Sequence, residues 1–240
     1  MSVIDRLPIL NRNRKLDEWM KASGAMVIRA FSHSSAAEMP SGWSEPEEFD
    51  LNAIIAFYHD GFVLFMDEPP PFLSPIETHK MNDGVFSTFI DEINPTNIIG
   101  YGARKWDLPL IKSGTGVSLE DGFTDILDTI TTASSSYFDT HGSRYTLSDL
   151  AKWNGMKLSV RTQTYLKTPF RLLADWKRGA EHQTISSLMV EMFIIALLAE
   201  RMHKRQDIRL FDTRTGFKAL VPVDMELKKH ADVSHQESEE

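Results

Sequence analysis

Four carboxylates and one basic stretch are the residues of this chain whose types and spacing could do chemistry. Asp107 lies in Asn97 to Ile111, Asn-Ile-Ile-Gly-Tyr-Gly-Ala-Arg-Lys-Trp-Asp-Leu-Pro-Leu-Ile. This reads as a short apolar strand, a glycine-rich turn and a helix start. Ile98 and Ile99 are stiff at the first side-chain torsion and suit a pleated surface. Gly100 and Gly102 permit a tight turn and close backbone approach. Asp107 then stands where a helix N-cap belongs, with Pro109 tolerated in the first turn. A carboxylate at the end of a strand-turn-helix unit also suits metal or phosphate chemistry, and both readings are open. Glu191 sits in the most apolar part of a long helical stretch, where a charge is costly unless paired or metal-bound. Asp125 and Asp128 lie within the run Phe123 to Ile130 and read equally well as turn residues at a strand end. Residues 157–178 carry Lys157, Arg161, Lys167, Arg171, Lys177 and Arg178, with Tyr165, Phe170 and Trp176 interleaved. Such a segment could hold a single strand by phosphate contacts and base stacking. It could equally be a solvated connector with its aromatics buried.

Periodicity and turn chemistry give the secondary structure around these residues. Arg14 to Ser23 has Leu16, Trp19 and Met20 on one helical face, with Gly24 ending it, and reads as a peripheral arm. Ala25 to Phe31 is a first strand. Ser34 to Asp50, rich in Ser, Pro, Gly and Glu, is a long loop. Asn52 to Tyr58 and Phe62 to Met66 flank Asp60-Gly61 and form a hairpin. Ser74-Pro75-Ile76-Glu77 has a capping-box pattern that predicts a helix to about Ile93, closed by Pro95. Phe123 to Ile130 reads as a strand or strand-turn, with a polar loop over 131–145 after it. Thr146 caps a short helix that Gly155 ends, and Ala180 to Arg205 is a long buried helix. Ile208 to Phe211 and Phe217 to Val223 form a closing hairpin.

Composition narrows the function classes. The chain has 240 residues, a formal net charge of −8 and no cysteine. Global attraction to nucleic acid is therefore excluded, while a local basic patch is not. Disulfides and thiolate metal sites are excluded as well, so any metal is held by carboxylates, His or water. The N-terminus lacks the apolar core of a signal peptide. Leu188 to Ala199 is too short and too charged to span a bilayer. These features predict a soluble cytoplasmic protein with no membrane partner. No P-loop, nucleotide-binding glycine fingerprint, zinc spacing or nucleophile elbow is present.

Ile99-Gly100-Tyr101 and Trp106-Asp107-Leu108-Pro109 resemble the second motif of the DEDD-type 3′-5′ exonucleases, most closely the proofreading exonuclease domains of family B DNA polymerases. Gly102 stands where that family usually has Asn. The order of three leading strands, then alternating helices and strands, resembles the family's α/β fold, a ribonuclease-H-like mixed sheet flanked by helices. The resemblance covers residues 25–205, leaving the arm at 1–24, the closing hairpin at 206–225 and a disordered acidic tail at 226–240. It implies catalytic roles for Asp107 and Glu191. It also implies Mg²⁺ or Mn²⁺ held by Asp107, Glu191 and Asp125 if the site is active, and no metal otherwise. Single-stranded DNA or RNA is the implied partner, met by Tyr101, Gly102, Arg104, Lys105, Trp106, Arg161, Lys167 and Arg171.

Two family motifs depart from the pattern. Setting Ser187-Leu188-Met189-Val190-Glu191 against Tyr-x-x-x-Asp puts Glu191 at the aspartate and Ser187 at the tyrosine that orients the attacking water. The family's first strand supplies Asp-x-Glu, whereas the matching region here offers Arg29 and Phe31, then Ser32 and His33. Asp67 and Glu68 end a different strand, and adjacent residues point to opposite faces. Two-metal hydrolysis needs several carboxylates around ions roughly 4 Å apart. The sequence therefore predicts an exonuclease-like domain with a degenerate site, in which Arg29 fills the charge vacated by a metal. An active metal-dependent 3′-5′ exonuclease and a non-catalytic scaffold for a protein partner are the alternatives.

Overall fold

Ala-Met-Val-Ile-Arg-Ala-Phe forms strand β1 (Ala25–Phe31), and its alternation sorts the core into two layers. The computed structural model describes residues 14–34, 44–59, 61–68, 76–81, 84–138, 145–158, 160–212 and 215–229, without the side chains of 160 and 161. Ala25, Val27 and Phe31 face one apolar cluster, while Met26, Ile28 and Ala30 face the other. Arg29 stands on the first of these faces. Strands β2 (Ala53–Tyr58) and β3 (Gly61–Phe65) form the expected hairpin, with Tyr58 opposite Gly61. Asp60 of its turn lies outside the described residues. Strands β4 (Glu77–His79), β5 (Asn97–Gly100) and β6 (Phe123–Asp125) complete a six-stranded mixed sheet in the order β4-β3-β2-β1-β5-β6. The β1–β2 and β2–β3 pairs are antiparallel; β1–β5, β5–β6 and β3–β4 are parallel.

Helices cover both faces. Helices α2 (Val85–Ile93) and α3 (Asp107–Thr115) pack on the Ile28 side through Phe86, Phe89, Leu110 and Ile111. On the Val27 side lie α1 (Arg14–Ser23), α4 (Ile126–Ser134), α5 (Leu147–Trp153), α7 (Pro169–Lys177) and α8 (Glu181–Arg205). The short α6 (Val160–Gln163) precedes α7. Helix α8, about 37 Å long at 1.5 Å per residue, is buried nearly all round from Thr184 to Ala199. Each fully buried aliphatic side chain there contributes about 1.5–3 kcal/mol. A separate two-stranded sheet, β7 (Asp207–Phe211) and β8 (Lys218–Pro222), is the closing hairpin. Among the described residues no helix is long and apolar enough to cross a membrane.

Four expectations need correction. First, the helix predicted from residue 74 begins only at Val85, after Gly84 at φ +84°. Ser74 and Pro75 lie outside the described residues. Glu77 to His79 instead add β4 to the free edge of β3, and the Glu77 carboxylate meets His79 at 2.9 Å rather than closing a capping box. Edge pairing has overridden a local signal. Second, the predicted strand over 123–130 stops at Asp125, whose carboxylate accepts the Leu127 and Asp128 N–H groups and starts α4. Third, α1 is no peripheral arm. Leu16, Trp19 and Met20 are buried, and Trp19 Nε1 hydrogen-bonds His203 Nδ1 of α8 at 3.1 Å. Fourth, residues 226–229 are anchored. The Asn97 side chain accepts the Lys228 N–H at 2.8 Å and donates to its carbonyl at 2.9 Å. Residues 230–240, like Thr213-Arg214 of the hairpin turn and most of the 34–50 loop, lie outside the described residues.

Gly100 ends β5 where the chain must pass close to its neighbours. A Cβ there would stand 2.5 Å from the Ala103 Cβ and 2.7 Å from the Phe123 ring. Gly100→Ala should therefore destabilise the protein by about 1–3 kcal/mol, the usual cost of overpacking. Urea denaturation of the two proteins would show it as a lowered midpoint at unchanged slope.

Candidate functional site

The site begins where β5 stops. Strand β1 pairs with β5 only as far as Val27 opposite Ile99, then continues alone on that side past the Gly100-Tyr101-Gly102 turn. The Ala30 N–H is left without a β5 acceptor. Asp107, the first residue of α3, turns its carboxylate inward and accepts that N–H through Oδ1 at 2.6 Å. The helix-cap reading of Asp107 therefore fails: Trp106 is the N-cap residue of α3, and no side chain caps the helix.

Asp107 is 1% exposed and faces the Arg29 guanidinium. Arg29 Nη1 donates to Asp107 Oδ2 and to the Tyr101 carbonyl, each at 3.3 Å. Its other terminal nitrogen, Nη2, lies 3.3 Å from Glu191 Oε2. Arg29 Nε is buried with no hydrogen-bond partner. One cation thus bridges the two carboxylates that the sequence singled out, one from α3 and one from α8. Burial acts to lower the Arg29 pKa, but Asp107, Glu191 and Asp125 outweigh it and raise it, so the guanidinium stays charged. Burial pushes the Asp107 carboxyl above its ordinary range against the pull of Arg29 and the Ala30 N–H. Burial also pushes Glu191 up to about 7, with Arg29 opposing and Asp107 reinforcing. One positive charge faces two carboxyl groups, and burial raises both, Glu191 to about 7.

Asp125 stands apart from this trio. Its Oδ1 accepts the N–H of Gly102 at 2.8 Å and of Leu127 at 3.0 Å, and its Oδ2 accepts the N–H of Arg104 at 3.0 Å. It is a backbone clamp, holding the turn after β5 against the start of α4, and both of its oxygens are engaged. Asp128 is half exposed and lies 3.7 Å from Arg104. Asp67 and Glu68 are exposed at the end of β3, two strands from β1. Ser187 donates back to the Gln183 carbonyl of its own helix at 2.7 Å. Among the described residues no group of three or more His, Asp or Glu side chains could hold a metal ion. The side chains present at this position thus do not fit a two-metal centre: a guanidinium occupies the space between Asp107 and Glu191, and Asp125 is spent on backbone.

The remaining candidates divide into buried and exposed. The Tyr101 hydroxyl donates to the Tyr145 carbonyl, and burial, then Asp125 and Asp149, push its phenol well above the usual range. Tyr145 carries no signal in the sequence. Gly102 adopts φ +65°, a left-handed conformation that Gly and Asn tolerate. Trp106 packs edge-on against Phe49 at 4.9 Å. Arg104 and Lys105 are exposed on the turn. The side chain of Arg161 lies outside the described residues. Lys167 and Arg171 meet in an open cleft of about 840 Å³ between the α6–α7 segment and the start of α8, joined by Arg178 and His182. Arg178 is legible in the sequence as part of the basic stretch, whereas nothing in the spacing marks His182. Lys167 Nζ lies 2.5 Å from Asp175 and 3.3 Å from Gln183, and Arg178 also pairs with Asp175. Trp176 of α7 packs on Phe31 at 4.8 Å and stacks on His33, seating this basic segment on the end of β1. Phe170 is 70% exposed. Gln183 precedes Glu191 by eight residues of α8, so the cleft lies roughly 12 Å along the helix from the arginine.

The fold has a counterpart among solved structures. The family B DNA polymerase from the hyperthermophilic archaeon Pyrobaculum calidifontis matches with a TM-score of 0.50 at 15% identity, over 75% of this chain and 24% of the polymerase. The chain thus corresponds to about a quarter of that protein's length. No family model and no curated protein matches the sequence. At this identity the likeness concerns fold: the six-stranded mixed sheet flanked by helices is a ribonuclease-H-like α/β architecture.

The raised Glu191 pKa has a directional consequence. Between the ordinary glutamate value of 4.5 and about 7, the folded state holds a proton that the unfolded state has lost. Stability therefore falls as pH rises through this window. Glu191→Gln keeps the shape and removes the titration, so denaturation midpoints at pH 5, 6, 7 and 8 should fall for the wild type and stay flatter in the variant. A wild type that gained stability across this range would show that Glu191 is an ordinary ionised partner of Arg29.

Proposed function

We propose that this chain is an exonuclease-like, nucleic-acid-associated domain of the DEDD type in which an arginine has replaced the metal centre. The observation that carries the reading is the Arg29 guanidinium between Asp107 and Glu191. In the family that the Gly-Tyr and Trp-Asp-Leu-Pro motifs resemble, carboxylates from the first strand, the turn and the long helix share divalent cations. Here the first strand supplies the cation itself. A fixed positive charge satisfies the two remaining carboxylates and leaves no set of oxygens for Mg²⁺ or Mn²⁺. Ser187, bonded within its helix, does not orient a water. The domain then binds single-stranded DNA or RNA without cutting it, through Arg104 and Lys105 on the turn and through the cleft of Lys167, Arg171 and Arg178. The polymerase likeness and the seating of that cleft beside the end of β1 support this partner class.

The test is degradation of end-labelled single-stranded DNA and RNA with Mg²⁺ or Mn²⁺, comparing wild type with Asp107→Ala. Neither protein should shorten the strand. Asp107→Ala should instead lose about 3–5 kcal/mol of stability, because it strands a buried charge and leaves the Ala30 N–H without its acceptor. Stepwise 3′ shortening by the wild type, absent in the variant, would overturn the proposal and restore the active-exonuclease reading. Binding has its own readout. The affinity for an oligodeoxythymidine should fall with salt, and Arg171→Glu should lower the log–log slope by roughly 0.7 for the phosphate contact it removes. A slope identical in both proteins would remove the cleft from the interface.

A further inference from the structure

A second surface, which shares no residue with the Arg29 site, lies on the outer face of the β7–β8 hairpin. In the β7–β8 register Arg209 stands opposite Leu220 and Phe211 opposite Lys218. Asn154, just after α5, seals the free edge of β7: its side chain donates to the Arg209 carbonyl at 3.0 Å and accepts the Arg209 N–H at 2.9 Å. This fixes α5 beside the hairpin and opens a groove of about 560 Å³ between them. That volume is within the roughly 300–1,000 Å³ of ordinary ligand pockets. Trp153, Phe211 and Leu220 supply apolar walls, and Leu220 is 56% exposed. Lys152, Arg209 and Lys218 stand around the walls. All three are exposed, and none makes an ion pair among the described residues. Lys218 Nζ only rests over the Phe211 ring at 5.4 Å.

Three exposed cations, none in an ion pair among the described residues, thus converge on one apolar groove of a chain whose net charge is −8. Lys167 and Arg178, by contrast, share Asp175, and Arg201 pairs with Asp207. We infer that this groove binds an acidic peptide segment of a partner protein, with one or two bulky apolar side chains in the groove and flanking Asp or Glu carboxylates against Lys152, Arg209 and Lys218. Charge complementarity supplies the specificity, and the apolar burial supplies the affinity. A nucleic acid strand fits less well. Trp153 and Phe211 meet edge to face at 77°, so they do not form the parallel platform on which successive bases stack.

The probe is a fluorescein-labelled dodecapeptide of Asp, Glu and Ser around a central Leu-Phe pair, titrated with the full chain and followed by anisotropy. Two controls carry Lys in place of the acids, or Ser-Ser in place of Leu-Phe. Saturable binding of the acidic peptide is expected, at least tenfold weaker for either control. The Lys152→Glu/Lys218→Glu variant should lose it by a similar factor, with an unchanged thermal unfolding curve. No saturable binding, equal binding of the acidic and basic peptides, or an unaffected charge-reversed variant would each overturn the inference. So would loss of oligodeoxythymidine binding in that variant, since the groove would then belong to the nucleic-acid interface. Because none of these residues belongs to the Arg29 site or the α7 cleft, this test and that of the exonuclease-like reading succeed or fail separately.

Discussion

A guanidinium held between two carboxylates inside a sheet-and-helix core is the constraint that organises this end of the molecule. Isolated, each of these charges would cost several kcal/mol to bury. Together they tie three elements, the strand β1, the turn-helix unit and the longest helix, to one point. The arrangement is not neutral, because one cation faces two acids. The two carboxyls are also bonded unequally. Asp107 has the Ala30 N–H as well as Arg29, whereas Glu191 has only the arginine among the causes that lower its pKa. Burial raises both carboxyls, and it carries Glu191 up to about 7.

The backbone decides which carboxylate does what. Strand β5 is four residues long and ends at a glycine with no room for a side chain. The early end strands an N–H on β1, and the first residue of α3 is drawn in to meet it instead of capping its own helix. Asp125, one strand further out, meets the complementary need. The turn after β5 and the start of α4 both present unpaired N–H groups, and one carboxylate accepts from each. Two aspartates with the same chemistry therefore have different duties. One is aimed at a buried charge, and the other is consumed by the backbone before it could serve a ligand.

Much of this was legible in the sequence, and the failures have identifiable physics. The hairpin around Asp60-Gly61, the helix capped by Thr146 and the buried helix around Glu191 rest on strong local or long periodic signals, and each formed near its expected bounds. The misread elements are those where a weak local signal met a tertiary alternative. Glu77 had a capping-box spacing, but a free strand edge was available to it. Asp125 looked like the end of a strand and is the start of a helix, because one carboxylate can both terminate a strand and cap the helix after it. Leu16, Trp19 and Met20 showed the correct helix but not its depth, since an amphipathic stripe does not reveal what covers it. Arg29 could be suspected only because the two acids expected on β1 were missing. No spacing rule predicts that a strand residue will pair with residues 78 and 162 positions away.

Net charge is a poor guide to the surface of such a protein, because what a partner meets is local and depends on which charges are already spent. The basic stretch of residues 157–178 looked like the strongest electrostatic feature of the sequence, yet Asp175 neutralises part of it by pairing with both Lys167 and Arg178. Arg171, with no such pair among the described residues, is left to set much of the cleft's potential. The hairpin groove shows the opposite case. Lys152, Arg209 and Lys218 form no run that composition could flag, but the β7–β8 register and the Asn154 bridge bring them around one apolar groove with no acid lining it among the described residues. At physiological ionic strength the screening length is about 8 Å, so an approaching chain responds to such a cluster and not to the distant carboxylates that make the total negative. The potential near the surface of an acidic protein can in this way be locally positive where unpaired cations cluster.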